Sequence, residues 1–163
     1  MMPYYWKKKK KSDDKAKKPR KRKTKGEETE QDLVKKLDKV FSLYIRLRDV
    51  MPNGLFRCIS CGKIKPYAQE DCGHFYSRIH MATRFDEDNA HGECRMCNRL
   101  SADHLLGYRK NLIEKIGLDR VSALEWKHNQ IKHWTKEELR SKIAYYTKEV
   151  KRLSSDKGIS VKI

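Results

Sequence analysis

The chain has 163 residues, 37% of them hydrophobic, and 39 Lys and Arg against 22 Asp and Glu give it a formal charge of +17. That length suits one domain of ordinary size, and so low an apolar content leaves part of the chain outside any core. No stretch has the apolar length of a signal peptide or the roughly 18 residues of a membrane span, which excludes a membrane protein and points to the cytoplasm.

Residues 1–25 carry 13 Lys and Arg against 2 Asp, a net +11. Residues 1–26 are expected to be a disordered basic arm that orders on a polyanion. The remaining 138 residues hold 26 basic against 20 acidic side chains. An excess of this size draws nucleic acid by neutralising phosphates and releasing counterions. An arm that only aids solubility is the plainer alternative.

From Glu27 the pattern becomes helical. Leu33, Leu37, Val40, Phe41, Tyr44 and Ile45 recur at three- and four-residue spacing to about Asp49, with Glu27, Glu28 and Glu30 expected in the first turn. Pro52-Asn53-Gly54 is a turn signal, after which a zinc-binding region begins at Cys58. Residues 64–76 and 84–93 lack a helical period and are expected to supply two short strands with a loop between them. Helical spacing returns through Leu100, Leu105, Leu106, Tyr108, Leu112, Ile113 and Ile116, and stops at Gly117. A short helix is expected over about 119–128. Thr135 and Glu138 form a capping box for a last helix with a stripe of Leu139, Ile143, Tyr146, Val150 and Leu153. That stripe suits a core face or, by its near-heptad spacing, a helix-pairing dimer. The expected organisation is the arm at 1–26, a folded domain at 27–153 with its zinc-stapled core at about 56–117 and C-terminal helices at 118–153, and a tail at 154–163.

Five cysteines fall as two C-x-x-C pairs plus one, which in a reducing compartment favours metal over disulfides. Cys58, Cys61, Cys94 and Cys97 supply the four thiolates of a tetrahedral structural Zn²⁺ site. A compact zinc ribbon separates its pairs by about 15–20 residues; here residues 62–93 intervene, 32 in all. Most of the candidate catalytic residues lie within that insertion. Cys72 is left over, as a further metal ligand or a small buried hydrophobe.

The order His74, Asn89, Cys94-x-x-Cys97, Asn98 resembles the HNH, or ββα-metal, nucleases. In those enzymes a histidine ending a strand deprotonates water, an asparagine shapes the loop, and a residue after the second cysteine pair binds a catalytic cation. Asparagine at the last of these positions resembles the endonuclease VII group of junction resolvases. Gly73 departs from the pattern, because those families place Asp or His directly before the base; the nearest carboxylate is Asp71. A closer similarity covers residues 40 to 153. The stretches Cys58-Ile59-Ser60-Cys61-Gly62, Asp71-x-Gly73-His74, Arg84-Phe85-x-Glu87-x-Asn89-x-His91 and Cys94-x-x-Cys97-Asn98 look like the phage lambda NinG/Rap recombination family. So do Tyr108-Arg109, Ile116-Gly117 and Trp134-Thr135-x-Glu137.

The resemblance implies an α+β, mostly helical fold, with a small zinc-stapled ββα-metal core and flanking helices. It also implies a phage endonuclease acting in the host cell cytoplasm on branched DNA such as Holliday junctions and D-loops, alongside phage or host recombination proteins. Paired cuts across a junction would require two active sites, hence a possible homodimer. Neutral His74 suits a general base. Mg²⁺ or Mn²⁺ would offset developing charge, and Asp71 and Asn98 are its candidate ligands. Asp71 is equally suited to capping a turn. His91 is open between cation ligand, phosphate contact and packing, and Glu87 is left out as a surface residue. Arg78, Arg84, Arg95, Arg99 and Arg109 are candidate phosphate contacts. A non-catalytic zinc module that binds or anneals DNA accounts for the same charge and cysteines. A sequence-preferring HNH nuclease accounts for the same centre.

Overall fold

The computed structural model describes residues 28–163, so the basic arm expected at 1–26 lies outside the described residues. Helix α1 spans Glu30–Asp49. Its first turn is fixed by Thr29, whose Oγ1 accepts from the Asp32 N–H at 3.2 Å while Asp32 Oδ2 accepts from the Thr29 N–H at 3.3 Å. The sequence suggested a start at Glu27. This reciprocal cap places Glu28 before the helix and leaves Glu30 and Asp32 to face its positive end. Every apolar residue of the predicted stripe is buried, and Leu47 joins them.

Two short strands follow α1, the first not read from the sequence and the second taken from the start of the 64–76 stretch, which was expected to form one strand. β1 (Leu55–Arg57) and β2 (Ile64–Pro66) pair antiparallel, and the turn between them carries Cys58 and Cys61. A 3₁₀ turn at Tyr67–Gln69 leads into β3 (Glu70–His74), which pairs antiparallel with β4 (Ala90–Cys94). These are the two strands expected from 64–76 and 84–93, though shorter. Their register sets Asp71 opposite Glu93 and Gly73 opposite His91.

The region after Cys94 splits into α2 (Arg95–Leu100) and α3 (His104–Ile116), because the chain turns extended at Ser101. Gly117 ends α3 at φ +87°, a conformation that side chains with a Cβ rarely adopt. α4 follows at Leu118–Lys127, and α5 runs over Lys136–Lys157 from the predicted Thr135 and Glu138 capping box. The helix thus passes Leu153 by a full turn, and Ile159 and Val161 pack on the main core. The segment after 153, expected to be a tail, is part of the packed structure.

The main core is α1 laid against α5 and one face of the β3 and β4 pair. Leu139, Tyr146 and Val150 meet Leu37, Phe41, Ile45 and Ala90 there. The α5 stripe therefore packs within the chain. Lys157 joins the C-terminal ends of both helices, donating to the carbonyls of Leu47 and Val50 at 2.7 and 2.5 Å, where a cation suits the negative end of α1. On the other face, Tyr108 of α3 donates to the Gly73 carbonyl at 3.0 Å. A second cluster of Ile59, Tyr108, Leu112, Val121 and Leu124 closes that side. Among the described residues no helix is long and apolar enough to cross a membrane.

Candidate metal centre and adjoining cleft

The β1 to β2 turn and the junction of β4 with α2 bring the four paired cysteines together. The sulfurs of Cys58, Cys61, Cys94 and Cys97 all lie within 4.8 Å of one another, and those of Cys61 and Cys94 are 4.0 Å apart. Four sulfurs bound tetrahedrally at about 2.3 Å would stand roughly 3.8 Å apart, so the group fits a zinc ion with little adjustment. Backbone geometry supports the same placement. The Gly62 N–H donates to the Cys58 carbonyl at 2.9 Å with Gly62 at φ +70°, and the Cys94 N–H points to Cys58 Sγ at 3.3 Å.

Beside this group lies a polar cleft of about 520 Å³ lined by Ser42, Asp71, Cys72, His74, Ser77, Arg78, Asn98, Arg99 and His104. His74 ends β3, partly buried beside the Phe41 ring. Its Nε2 lies 3.1 Å from the Arg84 carbonyl. A carbonyl can only accept, so Nε2 carries the proton and Nδ1 is the basic nitrogen of the neutral ring. Burial pushes the His74 imidazole below its ordinary value, against the pull of the Arg84 and Cys72 carbonyls.

Asp71 meets the second half of α2. Arg99 holds it through Nε at 2.6 Å and Nη2 at 2.8 Å, and Asn98 Nδ2 donates at 3.2 Å. Burial raises this carboxyl, but the hydrogen bonds from Arg99 and Asn98 outweigh it and hold the group below the usual carboxylate range. Arg95 approaches to 4.0 Å. Cys72 packs partly buried against the main core, and burial pushes its thiol up to about 12, as expected of a small hydrophobe and not of a reactive thiolate.

With this geometry in hand, the chain was compared with known proteins. A family model described as Bacteriophage Lambda NinG protein matches residues 5–156. The chain belongs to the NinG family. Proteins named Protein ninG from Escherichia phage 933W and Salmonella phage P22 are each 35% identical to it over 127 residues, and that of Escherichia phage lambda is 34% identical. Those matches cover 77% of this chain and 59 to 60% of the relatives, so the chain spans about three fifths of the length of the NinG proteins it matches. No solved structure matches.

In this NinG chain the remaining candidates fall elsewhere. Asn89 is wholly buried and closes the 75–89 loop: its Oδ1 accepts from the Tyr76 N–H at 2.7 Å, and its Nδ2 donates to the carbonyls of Tyr76 and Thr83 at 2.9 and 3.0 Å. It shapes the loop and does not enter the cleft. His91 does not enter it either. Its Nδ1 sits 2.9 Å from Arg48 Nη2, 3.0 Å from Lys115 Nζ and 3.4 Å from Asp49 Oδ2, while Nε2 meets the Asp88 carbonyl at 3.1 Å. Its ring sits in this buried polar network, outside the lining of the cleft. Arg84 is clamped on Asp38 at 2.9 and 2.5 Å, and Arg109 pairs with Glu125 at 3.2 Å. Arg78, Arg95 and Arg99 are the exposed arginines at the cleft. Glu87, set aside as a surface residue, accepts from the hydroxyls of Tyr44 at 2.7 Å and Tyr146 at 3.2 Å and ties α1 to α5.

Sequence inspection missed His104 and Glu93. His104 lines the cleft from α3, and its Nδ1 lies 2.8 Å from Oε1 of Glu93, which is fully buried. A carboxylate one residue before a metal-binding cysteine was the available signal.

Proposed function

We propose that this NinG protein is a divalent-metal-dependent endonuclease that cleaves branched DNA, such as four-way junctions and D-loops, by phosphodiester hydrolysis. The observation that carries the proposal is one polar cleft, next to a zinc-competent staple, that unites a neutral histidine with a carboxylate and an amide. In that cleft Nδ1 of His74 accepts the proton of the attacking water. Asp71 and Asn98, whose polar heads are 3.2 Å apart, offer the oxygen donors that Mg²⁺ or Mn²⁺ prefers. Bound there, the cation would supply charge to offset the developing phosphorane and the leaving oxygen. Arg99 now neutralises Asp71, and its exposed side chain is free to turn to a phosphate when a cation takes that carboxylate. Zinc on the four cysteines keeps β4 and α2, and therefore Asn98, in register with β3. The basic arm supplies sequence-independent affinity, and a bendable junction is favoured over rigid duplex because it deforms at lower cost.

The test is cleavage of a synthetic four-way junction and its matching linear duplex by wild type and His74→Ala, with Mg²⁺ or EDTA. Cutting by wild type with Mg²⁺ alone, much faster on the junction, is the expected result. Binding without cleavage by both proteins would make the chain a zinc-stapled DNA-binding module, and a preferred cut site on linear duplex would make it a sequence-preferring nuclease.

A further inference from the structure

The cleft shows how the chain manages without a side chain directly before His74. A Cβ placed on Gly73 would stand 2.2 Å from Glu93 Oε2 and 2.7 Å from Glu93 Cβ, so the volume that a residue-73 side chain would need belongs to Glu93. Glycine is therefore required at 73 by a close approach. The Glu93 carboxylate is fully buried, and Ser60 Oγ and His104 Nδ1 both meet its Oε1, the latter at 2.8 Å. Its Oε2 is buried with no hydrogen-bond partner. Burying a carboxylate is costly unless it is paired and hydrogen-bonded. Here that pairing holds one imidazole at the edge of the cleft.

We infer that His104, oriented by Glu93, is a third protein donor to the divalent cation that Asp71 and Asn98 would hold, in the role that glycine at position 73 cannot fill. A carboxylate accepts and does not donate, so the His104 proton lies on Nδ1 and Nε2 keeps its lone pair. No hydrogen bond ties Nε2 to any described residue, and His104 lines the same cleft as Asp71, His74 and Asn98. A histidine whose far nitrogen donates to a buried carboxylate is the usual arrangement for an imidazole that ligates a metal, because the carboxylate fixes the tautomer and raises ring basicity. Glu93 is thus a positioning residue and His104 the ligand. What the cation then does rests on the nuclease proposal, but its binding does not.

The experiment uses the zinc-loaded full chain and Mn²⁺ as the probe, with binding followed by electron paramagnetic resonance and bound ligands by electron spin-echo modulation. Wild type is expected to bind Mn²⁺ competitively with Mg²⁺ and to show a directly coordinated imidazole nitrogen. Asp71→Asn should abolish binding. His104→Gln should weaken it by about 10-fold or more and erase the nitrogen signal, and Glu93→Gln should weaken it by a few fold. Circular dichroism and zinc content check that each variant folds. Wild type that binds Mn²⁺ through Asp71 without a coordinated nitrogen overturns the role of His104 and leaves the nuclease proposal standing; this result is available even where a variant fails to fold. Wild type with no Mn²⁺ binding that depends on Asp71 overturns both.

Discussion

His74 illustrates how burial adjusts one group to a task. Its pKa lies below the ordinary imidazole value of about 6.5, so the neutral ring able to accept a proton is already dominant at neutral pH. For the proposed junction cleavage, the acid limb of kcat/KM against pH is expected to fall below that value and to plateau above it. A limb centred above 7 would assign the base elsewhere. Asn89 acts by hydrogen bonding alone. Asn89→Ala would orphan the Tyr76 N–H and leave the Tyr76 and Thr83 carbonyls without their amide donor, at a cost of roughly 2 to 4 kcal/mol, measurable by urea denaturation. Glu70 has the opposite character, since it is 1% exposed and both carboxylate oxygens lack partners. Burial, with the Asp49 charge beside it, pushes Glu70 up to about 9. The folded state therefore retains a proton that the unfolded chain releases near the ordinary carboxyl value. Stability from this group is complete below that value and is lost as pH rises towards 9. Glu70→Gln should accordingly raise the melting temperature more at pH 8 than at pH 5, and an equal gain at both would contradict the ionisation.

At the scale of elements, the two long helices were legible because each buries an apolar stripe at helical spacing, and α5 also announces its start with the Thr135 capping box. Thr135→Ala should cost about 1 kcal/mol through loss of the cap. Leu37→Ala, at a fully buried position of α1, should cost about 2 to 5 kcal/mol. Thermal or denaturant unfolding checks both, and near-equal effects would mean that α1 packs loosely. The β1 and β2 hairpin was not legible, since three-residue strands with mostly exposed side chains carry no alternation long enough to read. The division between α2 and α3 escaped for a similar reason: the apolar spacing continues across Ser101 while the backbone does not. That break matters for the site. It lets α2 carry Asn98 and Arg99 to Asp71 while α3 separately presents His104.

For the whole molecule, stability is expected to depend on the four-cysteine group and affinity for DNA on the charge of residues 1–25. The four cysteines join the β1 to β2 turn with the start of α2 across more than thirty residues. Chelation of zinc, or Cys94→Ser, should therefore unfold the β-core and abolish the cleft. Circular dichroism and metal content report this, and a native spectrum without metal would count against a structural ion. Residues 2–25 hold most of the net charge. Their deletion should weaken DNA binding and lower the slope of log affinity against log salt. An unchanged slope would place the phosphate contacts on the folded part, at Arg78, Arg95 and Arg99.

The amino-acid sequence by itself determined the family, the four-cysteine group able to hold a metal and the two long helices, and it offered His74, Asp71 and Asn98 as candidates that the fold brings to one cleft. Each of these depends on residues close along the chain or on spacing that a knuckle or helix imposes locally. Tertiary structure alone decided which other polar residues reach the cleft. His91 lies two residues from Asn89, yet it is drawn into the Arg48, Asp49 and Lys115 network, and Arg84 is taken by Asp38, 46 residues away. Glu93 and His104 became visible as a pair only once Gly73 was seen to yield its side-chain volume to a carboxylate from the neighbouring strand. The physical reason is that local spacing governs backbone conformation, whereas the partner of a buried charge is whichever group the folded chain brings within hydrogen-bonding distance.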